Sequence, residues 1–192
     1  MPKLFMLLIG CSLPGRHIEQ HDVFFGIGEN IKEVLQDAIA FWPEAKNSFH
    51  LDGWREVTQV DGYRITVIPA ATSLNSHRLF FINLGGYKKG EFEEFHYKMI
   101  TVAADKNEAI LRSKQSAFFK HTGFKSATAH IDDKYGVDVD DILFVNDILS
   151  PSLTLKFSLL IDKIESGNVP EDQLHLGYFK PGRVDSWYPA SS

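Results

Sequence analysis

The sequence lacks several features that would assign it directly to a class of protein. It has a single cysteine, Cys11, which excludes an intrachain disulfide and is typical of a reducing compartment. It has no apolar run near the ~18–20 residues that span a bilayer. Its basic residues are scattered and its net charge is −5, whereas a phosphate-binding surface needs clustered Lys and Arg. We therefore expect neither nucleic acid nor a membrane among its partners.

The N-terminus contains a short apolar run, residues 4–9, which is followed by Gly10-Cys11 as in a lipoprotein signal. This run is shorter than the roughly 7–15 apolar residues of a signal core. A similar run recurs at residues 78–85, where no signal can act. We interpret both runs as buried strands, and we expect a soluble, cytoplasmic protein.

The overall amino-acid composition is that of an ordinary globular protein. Apolar residues make up 44% and charged residues 23% of 192 residues, and fifteen of these residues are Phe. A chain of this length buries enough surface to fold without a disulfide or a metal. The length fits one domain or two small ones.

Residues 1–70 and 77–147 read as two copies of one unit. A shift of 75 positions aligns seven identical residues between positions 3 and 34, and a shift of 80 aligns residues 49–52 with 129–132. Similarity at a fixed spacing indicates a duplicated structural unit. The seven identical pairs are Leu4 and Leu79, Phe5 and Phe80, Gly10 and Gly85, Gly15 and Gly90, Glu19 and Glu94, His21 and His96, and Glu33 and Glu108.

Each copy predicts the element order β-β-α-β-β. In the first copy, residues 5–9 form the first strand, a Gly-bounded loop covers residues 10–15, and residues 21–27 form the second strand. Capping boxes predict the start of a helix in both copies. The final strand is predicted at residues 63–68 in the first copy and at 142–145 in the second. The capping pairs are Asn30 with Glu33 and Asp105 with Glu108.

The predicted fold class is α+β, with the two tandem repeats packed about a pseudo-two-fold axis. Residues 150–192 form a strand-rich C-terminal extension that packs on the repeats. Within it, residues 153–161 alternate between apolar and polar types, which predicts a half-buried strand. This strand has no partner in the repeat scheme, so it either pairs with the protein's own sheet or forms a homodimer contact.

Each copy carries a Glu-x-His pair and a His-x-Asp pair on predicted strands. Residues two apart in a strand point to the same face of the sheet, so the members of each pair can act together. If the two strands lie near each other, each copy assembles two carboxylates and two imidazoles. The candidate ligand-binding or acid–base residues are Glu19, His21, His50 and Asp52 in the first copy, and Glu94, His96, His130 and Asp132 in the second.

Three interpretations of these pairs stay open. A carboxylate next to an imidazole is often a buried structural hydrogen bond. The same pair transfers protons in enzymes, and imidazole with carboxylate also binds divalent metals. The spacing matches no established metal motif, so we assign no metal ligands, and the cofactor stays unknown.

Other motifs are weaker. The Gly-bounded loops follow strands as a phosphate loop does, but no Gly-Lys-Ser/Thr follows, so we interpret them as structural turns.

Cys11 is either a thiol nucleophile, with His17 or His21 as its base, or a small apolar side chain, which is the favoured interpretation. Residues 54–56 differ from their aligned residues 134–136, and we expect this segment to be exposed.

Three strings carry a resemblance to a known family: LGGYKKGEFEEFH, IEQHDVFFGIG and FHLDGWREV. They resemble an uncharacterised bacterial family, domain of unknown function 1543, whose members carry the domain once or twice. The resemblance covers roughly residues 3 to 145 and leaves the C-terminal extension outside it. It implies a duplicated domain, and it implies no activity, cofactor or catalytic residue.

Two kinds of function follow as hypotheses. The favoured one is a module that binds a small molecule or a protein, with its pocket at the interface of the copies. The alternative is a hydrolase- or isomerase-type enzyme that uses a His/carboxylate pair as general acid and base. A structural or interaction protein that dimerises through the C-terminal strand is a third hypothesis. The sequence does not decide whether the protein is an enzyme.

Overall fold

The computed structural model describes residues 1–45, 47–70, 75–87, 90–114, 138–165 and 170–187. The chain forms two compact units. Unit 1 comprises Met1–Ser73 together with Leu149–Ser192, and unit 2 comprises Leu74–Ile148. The C-terminal extension therefore folds together with the N-terminal part of the chain.

Unit 1 contains two antiparallel sheets. The larger has the strand order β10-β3-β1-β2 and the smaller the order β4-β5-β9. The elements of unit 1 are β1 (Lys3–Cys11), β2 (Gln20–Gly28), α1 (Ile31–Phe41), a 3-10 turn (Pro43–Ala45), β3 (His50–Val57), β4 (Gln59–Val60), β5 (Tyr63–Pro69), a helical turn (Pro151–Thr154), β9 (Phe157–Lys163), β10 (His175–Phe179) and a second 3-10 turn (Pro181–Ser186).

The core of unit 1 lies between the larger sheet and α1. Strand β1 lies between β2 and β3, and its side chains at positions 5, 7 and 9 are fully buried. Helix α1 contributes an apolar stripe at helical spacing, one face of the helix being apolar. The stripe consists of Ile31, Val34, Leu35 and Ala38, all of which are buried.

Both predicted capping boxes are present. Asn30 accepts hydrogen bonds from the backbone N–H groups of Lys32 and Glu33, and Glu33 accepts one from that of Glu29. In unit 2, Glu108 accepts a hydrogen bond from the backbone N–H of Ala104. That bond, and after it the Arg112 side chain, hold the pKa of Glu108 below its ordinary value.

The C-terminal strand is shorter than predicted, and it has a partner in the same chain. Strand β9 begins at Phe157 and pairs along its length with β5, from Phe157 opposite Pro69 to Lys163 opposite Tyr63. The segment before it, Pro151–Thr154, is helical, because Pro at the first helical position has the required φ and needs no N–H partner. Of the two alternatives that the sequence left open, pairing within the protein's own sheet is therefore the one that the structure shows.

The described part of unit 2 contains one three-stranded antiparallel sheet with the order β7-β6-β8. A small apolar cluster that includes Phe80, Ile82 and Leu84 of β6 is buried against α2. The elements of unit 2 are β6 (Arg78–Tyr87), β7 (Glu94–Ala103), α2 (Lys106–Lys114), β8 (Asp138–Phe144) and a helical turn (Val145–Ile148).

Three antiparallel sheets and few helices in the described part of the chain make the protein α+β, as predicted. The finer prediction of two β-β-α-β-β repeats is not confirmed. The strand predicted at residues 142–145 is the end of β8, which pairs with β6. No helix among the described residues combines the length and apolar character that a membrane span requires.

The chain segment before β10 is fastened to the β3–β4 junction by Asp172. Its carboxylate accepts hydrogen bonds from the backbone N–H groups of Thr58 (2.8 Å) and Gln59 (3.0 Å) and from the Thr58 hydroxyl. Arg55 adds an ion pair of 3.3 Å, and the Asp172 side chain is only 11% exposed. Because several of these bonds are charge-assisted, they contribute more than ordinary hydrogen bonds. They hold the segment where β10 can pair with β3.

We predict that Asp172→Asn lowers the free energy of unfolding by about 2 kcal/mol, because one acceptor oxygen becomes a donor and the charge is lost. Asp162→Asn, on an exposed position of β9, is the matched control. Urea denaturation followed by circular dichroism measures both. Equal stability of the two variants would contradict this role of Asp172.

Candidate functional site

The candidate site of unit 1 is built around a glycine in the central strand. Gly10 lies opposite His21 of β2 on one side and opposite His50 of β3 on the other. The prediction that the first strand ends at Ile9 and that a loop begins at Gly10 is wrong, because the backbone stays paired through Cys11. Glycine inside a strand often marks a close approach of another group.

The groups that approach Gly10 are side chains of β3. A Cβ atom at this position would lie 2.6 Å from His50 Nε2 and 2.8 Å from Asp52 Oδ2. Both distances are shorter than any normal contact. Because glycine has no Cβ, the imidazole and the carboxylate can close over the β1 backbone.

A β-bulge directs Asp52 towards the same place. Leu8 pairs with Gly53 whereas Ile9 pairs with Leu51, so Asp52 is the extra residue of β3. Bulges bend a strand and re-aim a side chain, and they are frequent next to functional sites.

The four predicted residues of the first copy come together in a closed ring. His21 Nε2 lies 3.1 Å from Asp52 Oδ2 and 3.5 Å from Glu19 Oε2. His50 Nε2 lies 3.2 Å from Glu19 Oε1 and 3.4 Å from Asp52 Oδ1. Each carboxylate therefore contacts both imidazoles through different oxygens. We call Glu19, His21, His50 and Asp52 the acid–imidazole ring.

His50 is fixed by the backbone. Its Nδ1 lies 2.9 Å from the Ser48 carbonyl oxygen, and because a carbonyl only accepts, Nδ1 carries the proton. The Ser48 hydroxyl in turn donates to the Ser12 carbonyl at 2.8 Å. These bonds join the loop after β1 to the loop before β3 and set the orientation of the imidazole.

The remaining nitrogen of His50 determines the electrostatics of the ring. Neither His50 Nε2 nor Asp52 Oδ2 has a hydrogen bond of good geometry in the described part of the structure, although both atoms are buried. With Nδ1 protonated, a neutral imidazole directs the Nε2 lone pair at two carboxylate oxygens. This arrangement is favourable only with a proton on Nε2 or with a cationic group at the ring.

The ring is open to solvent on one side. The side chains of Glu19 and His21 are each 40% exposed and that of Asp52 is 27% exposed, whereas His50 is 2% exposed. His50 thus forms the floor, and the other three side chains form a rim that a dissolved molecule can reach.

Tyr178 of β10 forms a wall of the site that the sequence analysis missed. Its ring packs against the His50 ring with a centroid distance of 4.4 Å. It reaches this position because β10 pairs with β3, with Phe179 opposite Leu51. The alternation of β10 is short, and no signal in the sequence assigned it as a neighbour of β3.

Cys11, next to Gly10, is fully buried. Burial raises the pKa of its thiol, and the charges of Glu19 and Glu44 raise it further. The thiolate is the nucleophilic form, so a raised pKa makes Cys11 a poor nucleophile. It packs as the small apolar side chain that the sequence analysis favoured.

Trp54 is buried, contrary to the expectation that residues 54–56 are exposed. Its ring stacks on His175 with a centroid distance of 3.9 Å and an interplanar angle of 7°. The strand that covers it, β10, comes from the C-terminal extension, which explains why the expectation is wrong.

Unit 2 has a glycine in the corresponding strand position. Gly85 lies opposite His96 of β7 and Asp138 of β8, and the register of β8 shifts at Asp140 as that of β3 does at Asp52. His96 Nε2 lies 3.9 Å from Glu94 Oε2. The other predicted residues of the second copy, His130 and Asp132, lie outside the described residues. The strand register instead gives Asp138 and Asp140 the positions that His50 and Asp52 have in unit 1.

Among the residues that the structure describes, no group of three or more His, Cys, Asp or Glu side chains has the arrangement of a metal site. In the acid–imidazole ring, each carboxylate divides its two oxygens between the two imidazoles. Each carboxylate thus contacts one imidazole on either side of it, and the four contacts form a closed ring.

Comparison with known proteins identifies a domain but no activity. Among solved structures, a protein described as Il1583 from Idiomarina loihiensis is similar at 22% identity with a TM-score of 0.61, covering 93% of this chain and 97% of that one. At this identity the likeness concerns the fold alone. No curated protein matches. The family described as Domain of Unknown Function (DUF1543) matches residues 16–67, which contain all four side chains of the acid–imidazole ring. Over this segment, which is about a quarter of the chain, the protein is similar to that family.

Proposed function

We propose that the protein is a small-molecule-binding module whose ligand presents a cationic or hydrogen-bond-donating group to the acid–imidazole ring. The observation that carries this proposal is the ring itself: four ionisable side chains that close over Gly10, with a buried His50 Nε2 that has no well-formed hydrogen bond. Buried polar groups in folded proteins nearly always have partners. A bound donor would provide one.

The charge of the ring selects the kind of ligand. With both imidazoles neutral, the two carboxylates give the ring two negative charges. An ammonium or guanidinium group compensates these charges and donates to several acceptors at once. The rim of Glu19, His21 and Asp52 is exposed enough to admit such a group without unfolding.

We infer further that unit 2 is a second copy of the same structural unit with an altered site. The support is the shared sequence of the Glu-x-His segments and the equivalent register at Gly10 and Gly85. Asp138 takes the strand position of His50, so the second site exchanges an imidazole for a carboxylate. We expect the two sites to differ in ligand preference.

A second candidate function is general acid–base catalysis by His21. Its Nε2 lies 3.1 Å from Asp52, and its side chain is 40% exposed, so a carboxylate orients an imidazole that a substrate can reach. Binding ranks first because no activated nucleophile accompanies the imidazole: the adjacent thiol, Cys11, is buried and its pKa is raised.

We predict that the protein binds n-butylamine, a simple cation, with a Kd in the millimolar range at about pH 8, where an ordinary imidazole is neutral. Glu19→Gln weakens this binding about threefold to tenfold, because solvent screens a partly exposed carboxylate. Isothermal titration calorimetry measures both proteins. Glu165→Gln removes an exposed carboxylate elsewhere in unit 1 and serves as the matched control. Binding that is absent, or equal in Glu19→Gln and wild type, contradicts the proposal.

We also predict that Gly10→Ala abolishes butylamine binding, because the added Cβ displaces His50 and Asp52. The control is Gly182→Ala, since a Cβ at Gly182 meets nothing within 4 Å. Nitrogen-15 NMR of the imidazoles reports whether the ring has opened. If the Gly10→Ala protein shows unchanged His50 signals and unchanged affinity for butylamine, the ring does not need a glycine at position 10, and this role of Gly10 is contradicted.

The second candidate predicts a different pattern. His21→Gln would abolish turnover in a screen of ester, amide and isomerisation substrates while leaving butylamine binding within about threefold, because glutamine keeps a polar contact to Asp52. If the wild-type protein turns over none of these substrates but still binds the amine, catalysis by His21 is excluded for them and the binding proposal stands.

A further inference from the structure

A second feature of unit 1 lies next to the acid–imidazole ring and carries the opposite charge. It is a pocket of about 310 Å³ lined by Tyr178, Phe179, Lys180, Arg183 and Trp187. This volume is at the lower end of the range for small-molecule sites. We call it the aromatic pocket.

The floor of the aromatic pocket is apolar and well packed. Trp187 is 6% exposed, and its ring lies 5.4 Å from that of Phe179. Such a pair presents a rigid surface for the hydrocarbon part of a ligand.

The mouth of the aromatic pocket is basic. Lys180 and Arg183 are both exposed, and Lys180 Nζ lies 5.7 Å from the centroid of the Tyr178 ring. The nearby carboxylate of Asp185 is paired with Lys32 of α1. Two cationic side chains at one opening favour an anionic group, and a guanidinium matches a carboxylate geometrically.

Tyr178 joins the two features. The Tyr178 ring packs on the His50 ring with a centroid distance of 4.4 Å, and Tyr178 also lines the aromatic pocket. The Tyr178 ring therefore contacts both an imidazole of the acid–imidazole ring and the ammonium group of Lys180 at the basic mouth.

We propose that the ligand of unit 1 is a small zwitterion, whose cationic amine contacts the acid–imidazole ring and whose carboxylate reaches Lys180 and Arg183 across Tyr178. This inference rests on the proposed function, because it takes the ring as the site of the cationic end. It adds the anionic end, the apolar spacer and the residues that recognise them.

The test compares matched ligands by calorimetry with the full chain: n-butylamine, butyrate and 4-aminobutyrate, together with the ω-amino acids from glycine to 6-aminohexanoate. We expect at least one ω-amino acid to bind about tenfold more tightly than butylamine, because the second contact is made within one molecule. In Lys180→Gln/Arg183→Gln this gain is lost, so that no ω-amino acid binds the variant more tightly than butylamine binds the same variant. Lys156→Gln/Lys163→Gln makes the same change of charge at exposed positions of unit 1 and keeps the gain.

The other outcomes separate the two proposals. If butylamine binds and no ω-amino acid binds more tightly, the zwitterion is wrong and the proposed function stands. If butyrate alone binds as tightly as the ω-amino acids and Glu19→Gln has no effect, the pocket is an anion site and the zwitterion is again wrong. If neither the amine nor any ω-amino acid binds the folded protein, both proposals fail.

Discussion

The missing side chain at Gly10 is the constraint on which the rest of unit 1 depends. Position 10 is paired on both sides in the middle of the larger sheet, so a side chain there would occupy the space above the strand. His50 and Asp52 occupy that space instead. The sheet thereby places titratable groups from β2 and β3 in contact above a backbone that cannot compete with them for room. Ile9 and Cys11, on either side of Gly10, are fully buried. The backbone beneath the floor of the site, His50, therefore lies next to the core.

The C-terminal extension completes the site from a distant part of the sequence. Asp172 binds the β3–β4 junction, β10 then pairs with β3, and Tyr178 covers His50. The acid–imidazole ring thus lies between the β1 backbone at Gly10 on one side and the Tyr178 ring on the other. A low local dielectric strengthens electrostatic interactions and raises the cost of leaving a polar atom without a partner. The buried nitrogen His50 Nε2, which has no well-formed hydrogen bond in the described structure, is the atom for which this cost is highest.

The sequence predicts the local parts of this arrangement well. Alternation predicts that Glu19 and His21 share a face, and that His50 and Asp52 do, and the capping boxes mark both helices. What it could not predict depends on contacts between distant segments. Nothing near Gly10 indicates that the strand continues through it, because glycine is equally common in turns. Nothing near residue 178 indicates that β10 joins β3. The sequence alignment selected His130 and Asp132, which lie outside the described residues. The register of β8 places Asp138 opposite Gly85 and the shift at Asp140.

The register of unit 2 gives a physical reason for the two proposed sites to differ in charge. At Gly85 the neighbours are His96 and Asp138, where Gly10 has two histidines. An imidazole can accept or donate a proton near neutral pH, whereas a carboxylate only accepts hydrogen bonds once it is ionised. The site that we propose at Gly85 would have one imidazole fewer and one carboxylate more, so an external cation would contribute more to balancing its charge. The exchange of a single residue type at one strand position would therefore change the charge balance of the site that we propose in unit 2.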